Sequence, residues 1–95
     1  MVQTTLLIQA NKDLLNRAAA NITENLKEIE TSDVYFVSSR RKANAKTLIG
    51  LLTLGIKKDE TFEAFVISKD DVAAAIDLDR LIKTIEPYCE IISVN

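Results

Sequence analysis

Ninety-five residues can close one modest hydrophobic core and leave too little chain for a second, so a single domain over residues 1–95 is expected. With 12 Lys and Arg against 14 Asp and Glu the net charge is -2, which gives no general reason to expect nucleic acid or an acidic membrane as partner. Cys89 stands alone, which excludes an intrachain disulfide and fits a reducing cytosol.

The opening "VQTTLLIQ" is a short β-prone strand with no basic flank, no long apolar run and no small-residue cleavage site. It reads as neither a signal peptide nor a membrane span, and cytoplasm is the default expectation. After the polar break at Asn11 to Asp13, Leu15, Ala18, Ala19, Ile22, Leu26 and Ile29 recur at spacings of three and four. That places them on one stripe of a helix over roughly residues 16–30, capped by Asn16 or Asp13. Val34 to Val37 is β-branched and aromatic, and the polar "SSRRK" with the short "ANA" makes it the first arm of a hairpin.

"TLIGLLTLG" crowds Leu48, Ile49, Leu51, Leu52 and Leu54 into one short helix between a capping Thr47 and a stop at Gly55. After a charged turn at Lys57 to Glu60, "TFEAFVIS" alternates as a strand, with Phe62, Ala64 and Val66 on one face. Ser68 and Asp71 read as a capping box for a long helix. Its apolar face is Ala74, Ala75, Leu78, Leu81, Ile82 and Ile85, with Asp77, Arg80 and Thr84 opposite. Asp77 and Asp79 are possible kink points, and Pro87 ends the helix.

The order β-α-β-β-α-β-α, with a β-prone "YCEIISV" after Pro87, describes an α+β protein with helices on one side of a sheet. Two segments narrow it further. In "DLLNRAAA", Leu14, Arg17, Ala19 and Ala20 match a G-L-H-A-R-P-A-A pattern; in "KANAKTLIGLLTL", Lys42, Asn44, Ala45, Lys46, Gly50 and Leu54 match K-V-N-A-K-S-I-M-G-V-M-x-L. Both patterns belong to the histidine-containing phosphocarrier protein (HPr) of the bacterial phosphoenolpyruvate sugar phosphotransferase system. The chain resembles that family from Met1 to about Ile85.

The resemblance implies an open-faced β-sandwich and a cytoplasmic protein. In the family, a histidine just before the arginine takes a phosphoryl group from Enzyme I and passes it to sugar-specific proteins. Here Leu15 holds that place, and no histidine exists elsewhere. A hydrocarbon cannot be phosphorylated, Asn16 is an amide of negligible nucleophilicity, and nothing nearby equips Asp13 to form an acyl phosphate. No catalytic residue, metal or cofactor is therefore expected, and no His, Cys, Ser and carboxylate constellation suggests an enzyme.

Arg17 and Asn16 remain as an anion-binding candidate with the helix amides, although an exposed first-turn arginine is as easily solvated or paired. Thr47 lies where the family carries a regulatory phosphoserine, while the simpler reading of a threonine there is a plain N-cap. Leu48, Ile49, Leu51 and Leu52 are partner-contact candidates, since the family docks its partners on this helix; alternatively Leu48 and Leu51 are core, and the Arg17 and Lys46 stems shield the others.

Two functions follow. The first is a non-catalytic regulatory or protein-interaction module whose partner is a phosphotransferase-system component or regulator, with no nucleic acid and no membrane. The second is a small-molecule or anion-binding domain using Arg17. The tail, residues 86–95, lies outside the family pattern and is expected to form a fifth strand. With the family's sheet order of one, four, two, three, crossover handedness places it beside strand one, giving five, one, four, two, three. Tyr88 then emerges next to Asn11 to Leu15, and the same strand offers a route to a homodimer.

Overall fold

The computed structural model describes all 95 residues. Eight elements follow one another: β1 (Val2–Ala10), α1 (Asn16–Leu26), β2 (Ser32–Ser38), β3 (Arg41–Asn44), α2 (Leu48–Leu54), β4 (Thr61–Ser68), α3 (Asp71–Ile85) and β5 (Cys89–Val94). The five strands form one antiparallel sheet in the order β3-β2-β4-β1-β5. This is the expected α+β arrangement and the expected order, read from the other edge.

Alternation along the strands turns one sheet face toward the helices. Leu6, Ile8 and Ala10 of β1, Val34 and Phe36 of β2, and Phe62, Ala64 and Val66 of β4 are all buried there. Phe36 and Phe62 meet at a ring-centroid distance of 5.0 Å, tilted by 48°. Ala19, Ile22 and Leu26 of α1, Leu51 of α2, and Leu81 and Ile85 of α3 close the core from above. α2 packs over β2 and β3, α3 over β1, β2, β4 and β5, and α1 against both helices. The opposite sheet face has no helix.

The β2–β3 hairpin turns through Ser39 and Arg40, with φ of 50° and 68°. A two-residue turn with both φ positive matches the twist of the flanking strands, so no glycine is required. Arg41 and Lys42 belong to β3 and not to the turn.

Three helical expectations are corrected. α1 ends at Leu26, and tighter turns carry the chain on, with Ile29 N–H donating to the Leu26 carbonyl at 3.0 Å. Asp70, not Ser68, caps α3, its carboxylate accepting from Ala73 N–H at 2.8 Å. The buried face of α3 is Ala73, Ala74, Asp77, Leu81 and Ile85, so Ala75 is exposed and Asp77 is inside, and the helix runs unbroken through Asp77 and Asp79.

Asp77 is held by hydroxyls. Thr31 Oγ1 donates to its Oδ2 at 2.7 Å and Ser32 Oγ at 2.5 Å. Ser32 has one hydroxyl proton, already given to Asp77, so Ser68 Oγ must donate in the 2.6 Å contact between the two serines. Three strand and loop residues thus lock the middle of α3 to β2 and β4.

β5 returns beside β1, pairing Ala10 with Cys89 and Leu6 with Val94. The register shifts between Leu7 and Ile8, which leaves Ile92 as the extra residue of a bulge. Burial pushes the Cys89 thiol up to about 12. No helix is long and apolar enough to cross a membrane.

Candidate functional site

Two hydrogen bonds bring the start of α1 against the chain that follows α2. Leu14 N–H donates to the Ile56 carbonyl at 2.8 Å, and Lys58 N–H donates to Asp13 Oδ1 at 2.8 Å. Leu14 and Ile56 are both buried, so the two loops share an apolar anchor.

Leu15 is the N-cap residue of α1, with extended φ and ψ and no side-chain oxygen to accept from the first-turn amides. Neither residue expected to cap does so. Asp13 already accepts from Lys58, and Asn16 lies one position past the cap with φ of 51°. Arg17 is exposed, and the three ion pairs of the chain, Lys27–Glu24, Arg80–Glu28 and Lys83–Asp79, do not include it. An uncapped helix start beside a free guanidinium is a site of positive potential. Its cap position holds the hydrocarbon side chain of Leu15.

α2 begins at the other end of this surface. Thr47 is exposed; its hydroxyl donates to the Asn44 carbonyl at 2.9 Å and accepts from Gly50 N–H at 3.1 Å. The fit is close: a Cβ at Gly50 would lie 2.5 Å from Thr47 Oγ1 and 2.6 Å from the Asn44 carbonyl. Gly55 ends the helix in the left-handed region, with φ of 57°.

Of the four aliphatic candidates on α2, Ile49 is 79% exposed and Leu48 and Leu52 41% each, whereas Leu51 is 1% exposed. Leu51 is therefore removed from the contact candidates: helical periodicity aims it into the core and leaves its neighbours on the rim. Leu48 in turn is not core. Lys46 does not shield the helix either, since its ammonium donates to the carbonyls of Ile29 and Ser32 behind it.

The tail closes the third side. Asn11 N–H donates to the Tyr88 carbonyl at 2.7 Å, as expected of a fifth strand entering beside the end of β1. The Lys12 ammonium sits 5.9 Å from the Tyr88 ring centroid, within the stretch expected beside it, whereas the bond from Asn21 Nδ2 to the Tyr88 hydroxyl at 3.0 Å had no sequence signal, because Asn21 lies further along α1. Asn21 and Tyr88 also border a groove of about 540 Å³ between α1 and α3, with Arg80, Lys83 and Ile76 along its length. Arg17 does not line it.

A family model described as the phosphotransferase-system HPr component phosphorylation site matches residues 2–84. Comparison with curated proteins finds no sequence match. Among solved structures, the HPr-C-His protein of Thermoanaerobacter tengcongensis is similar with a TM-score of 0.68 and 22% identity, covering 90% of this chain and 92% of its own. The histidine-containing phosphocarrier protein of Mycoplasma gives a TM-score of 0.66 at 14% identity, over 90% and 93%. The phosphocarrier protein HPr of Bacillus anthracis gives 0.67 at 19% identity, over 87% and 94%. At these identities the structures speak for the fold alone, while the family model spans all but the tail: the chain belongs to the HPr family of the phosphotransferase system.

Proposed function

We propose that this chain is a non-catalytic member of its family, a module that docks a phosphotransferase-system component or regulator and carries no phosphoryl group. The observation that carries this reading is Leu15, a hydrocarbon at the helix start where the family pattern has its histidine, in a chain without any histidine. The exposed Leu48, Ile49 and Leu52 supply the docking half of the argument. A fully exposed aliphatic side chain taken out of water contributes about 1.5–3 kcal/mol; Ile49 offers most of that and the part-covered Leu48 and Leu52 less than half each, so a partner covering α2 has a ready source of affinity.

Thr47 is the place for regulation of that contact. Its exposed hydroxyl stands at the start of α2, where a phosphoryl group would meet the Gly50 N–H and put negative charge beside three apolar contact residues. Phosphorylation there would weaken apolar docking.

A second reading, binding of a small anion, is favoured by the uncapped start of α1 and the unpaired Arg17. Titration with Enzyme I and with a kinase of HPr separates the two readings from a parallel titration with inorganic phosphate. Docking predicts protein binding that Ile49→Glu abolishes and Arg17→Ala weakens only modestly. Saturable phosphate binding lost in Arg17→Ala, without protein binding, would favour the anion reading.

A further inference from the structure

The sheet has two edges, and they are built differently. β3 is four residues long, carries Arg41 and Lys42 in succession, and is tied to α2 by Arg41 Nη1 donating to the Thr53 carbonyl at 3.1 Å. Charge and shortness of this kind discourage pairing with another chain. β5 is six residues long, and Glu90 is its one charged residue.

Its side chains are also one-sided. Cys89, Ile91 and Val94 stand opposite Ala10, Ile8 and Leu6, the three buried residues of β1, so they share the helix-covered face of the sheet. That cover gives out along β5: Cys89 at its start is buried, whereas Val94 at its end is 47% exposed and the bulged Ile92 48%. β5 therefore presents an unpaired backbone edge and uncovered β-branched side chains together.

We propose that β5 is the interface of a two-fold dimer, formed when a second copy of this chain adds its own β5 antiparallel to the first. Centred on Ile92, the pairing sets Ile92 against itself and Glu90 against Val94 of the second copy, which keeps the two glutamates about 13 Å apart along the strands. A self-complementary edge closes on itself as a dimer, whereas pairing of β5 with β3 of the next copy would run on as a filament. The bulge limits the number of backbone bonds, so the dimer is weak and concentration-dependent. It leaves α2, which packs over β2 and β3 at the far side of the sheet, free for the partner of the proposed function.

Sedimentation of the full chain from about 10 μM to about 1 mM tests this, over the range where a weak edge contact dissociates. The mass is expected to rise from monomer toward dimer and stop there, with amide exchange in β5 slowing at high concentration. Ile92→Lys and Val94→Lys, both at half-exposed positions, should hold the chain monomeric throughout, while Lys42→Ala on the other edge leaves the dimer intact. A wild-type chain that stays monomeric at every concentration overturns the proposal, as do growth past the dimer and a dimer that survives both lysine variants in folded protein.

Discussion

The Leu14 amide and the Ile56 carbonyl, bonded at 2.8 Å between two fully buried residues, make the start of α1 and the end of α2 one mechanical unit. A partner that touches Ile49 or Leu52 therefore meets a surface already in place, without loop ordering to offset its binding. What such a partner would find at Leu15 is shape and not chemistry.

The aliphatic residues of α2 should divide sharply under mutation. Ile49→Glu is expected to change stability by no more than about 0.5 kcal/mol, as an exposed position should, while abolishing partner binding. Leu51→Ala, at a fully buried site, is expected to cost about 2–5 kcal/mol. Denaturant unfolding and a binding titration on the same variants check both halves; equal destabilisation by the two changes would show that α2 is core throughout.

Gly50→Ala tests how tightly Thr47 closes its helix. The new methyl would fall inside contact distance of both Thr47 Oγ1 and the Asn44 carbonyl, so the cap must open or the β3–α2 turn must shift. Overpacking of this kind costs about 1–3 kcal/mol, more than the roughly 1 kcal/mol that alanine otherwise gains over glycine inside a helix. A thermal melt showing stabilisation would contradict the geometry.

Asp77 is expected to be the most sensitive charged residue. Asp77→Ala leaves the hydroxyls of Thr31 and Ser32 without their acceptor in a buried site, a loss of about 2–4 kcal/mol. Asp77→Asn keeps an acceptor oxygen in place and should lose less. Comparison with Asp79→Ala, whose exposed pair with Lys83 is worth at most about 1 kcal/mol, supplies the control by urea unfolding.

Cys89 should give the protein a one-sided alkaline limit. Its thiol ionises near 12 in the fold and near 8.5 in the unfolded chain, so above the lower value the unfolded state releases a proton that the folded state keeps. Stability therefore falls as pH rises from about 8.5 toward 12, by about 1 kcal/mol over the first unit past the unfolded value and with a slope approaching about 1.4 kcal/mol per unit beyond it. The slope should flatten in Cys89→Ala, and alkylation of the native thiol at pH 8 should be far slower than of an unfolded control.

Sheet order was legible in two steps: alternation marked the strands and the family resemblance supplied the order of the first four, after which crossover handedness left one edge for the tail. Asp77 was misread for an instructive reason. Ala73, Asp77, Leu81 and Ile85 recur every four residues as well as any apolar stripe, but a carboxylate counts as polar until Thr31, Ser32 and Ser68 are known to lie beside it. The cap of α1 was hidden too, since a cap is defined by backbone angles, and Leu15 takes the extended ones while Asn16 turns left-handed. Leu51 could not be told from Leu48 and Leu52 in a helix of seven residues, where a small rotation decides which leucine is buried.

Intact mass after incubation with phosphoenolpyruvate and Enzyme I tests the central claim most directly. The account predicts an unchanged mass, because Leu15 and Asn16 cannot accept a phosphoryl group and the chain has no histidine. An acid-labile gain of one phosphoryl group on the wild-type chain would contradict it.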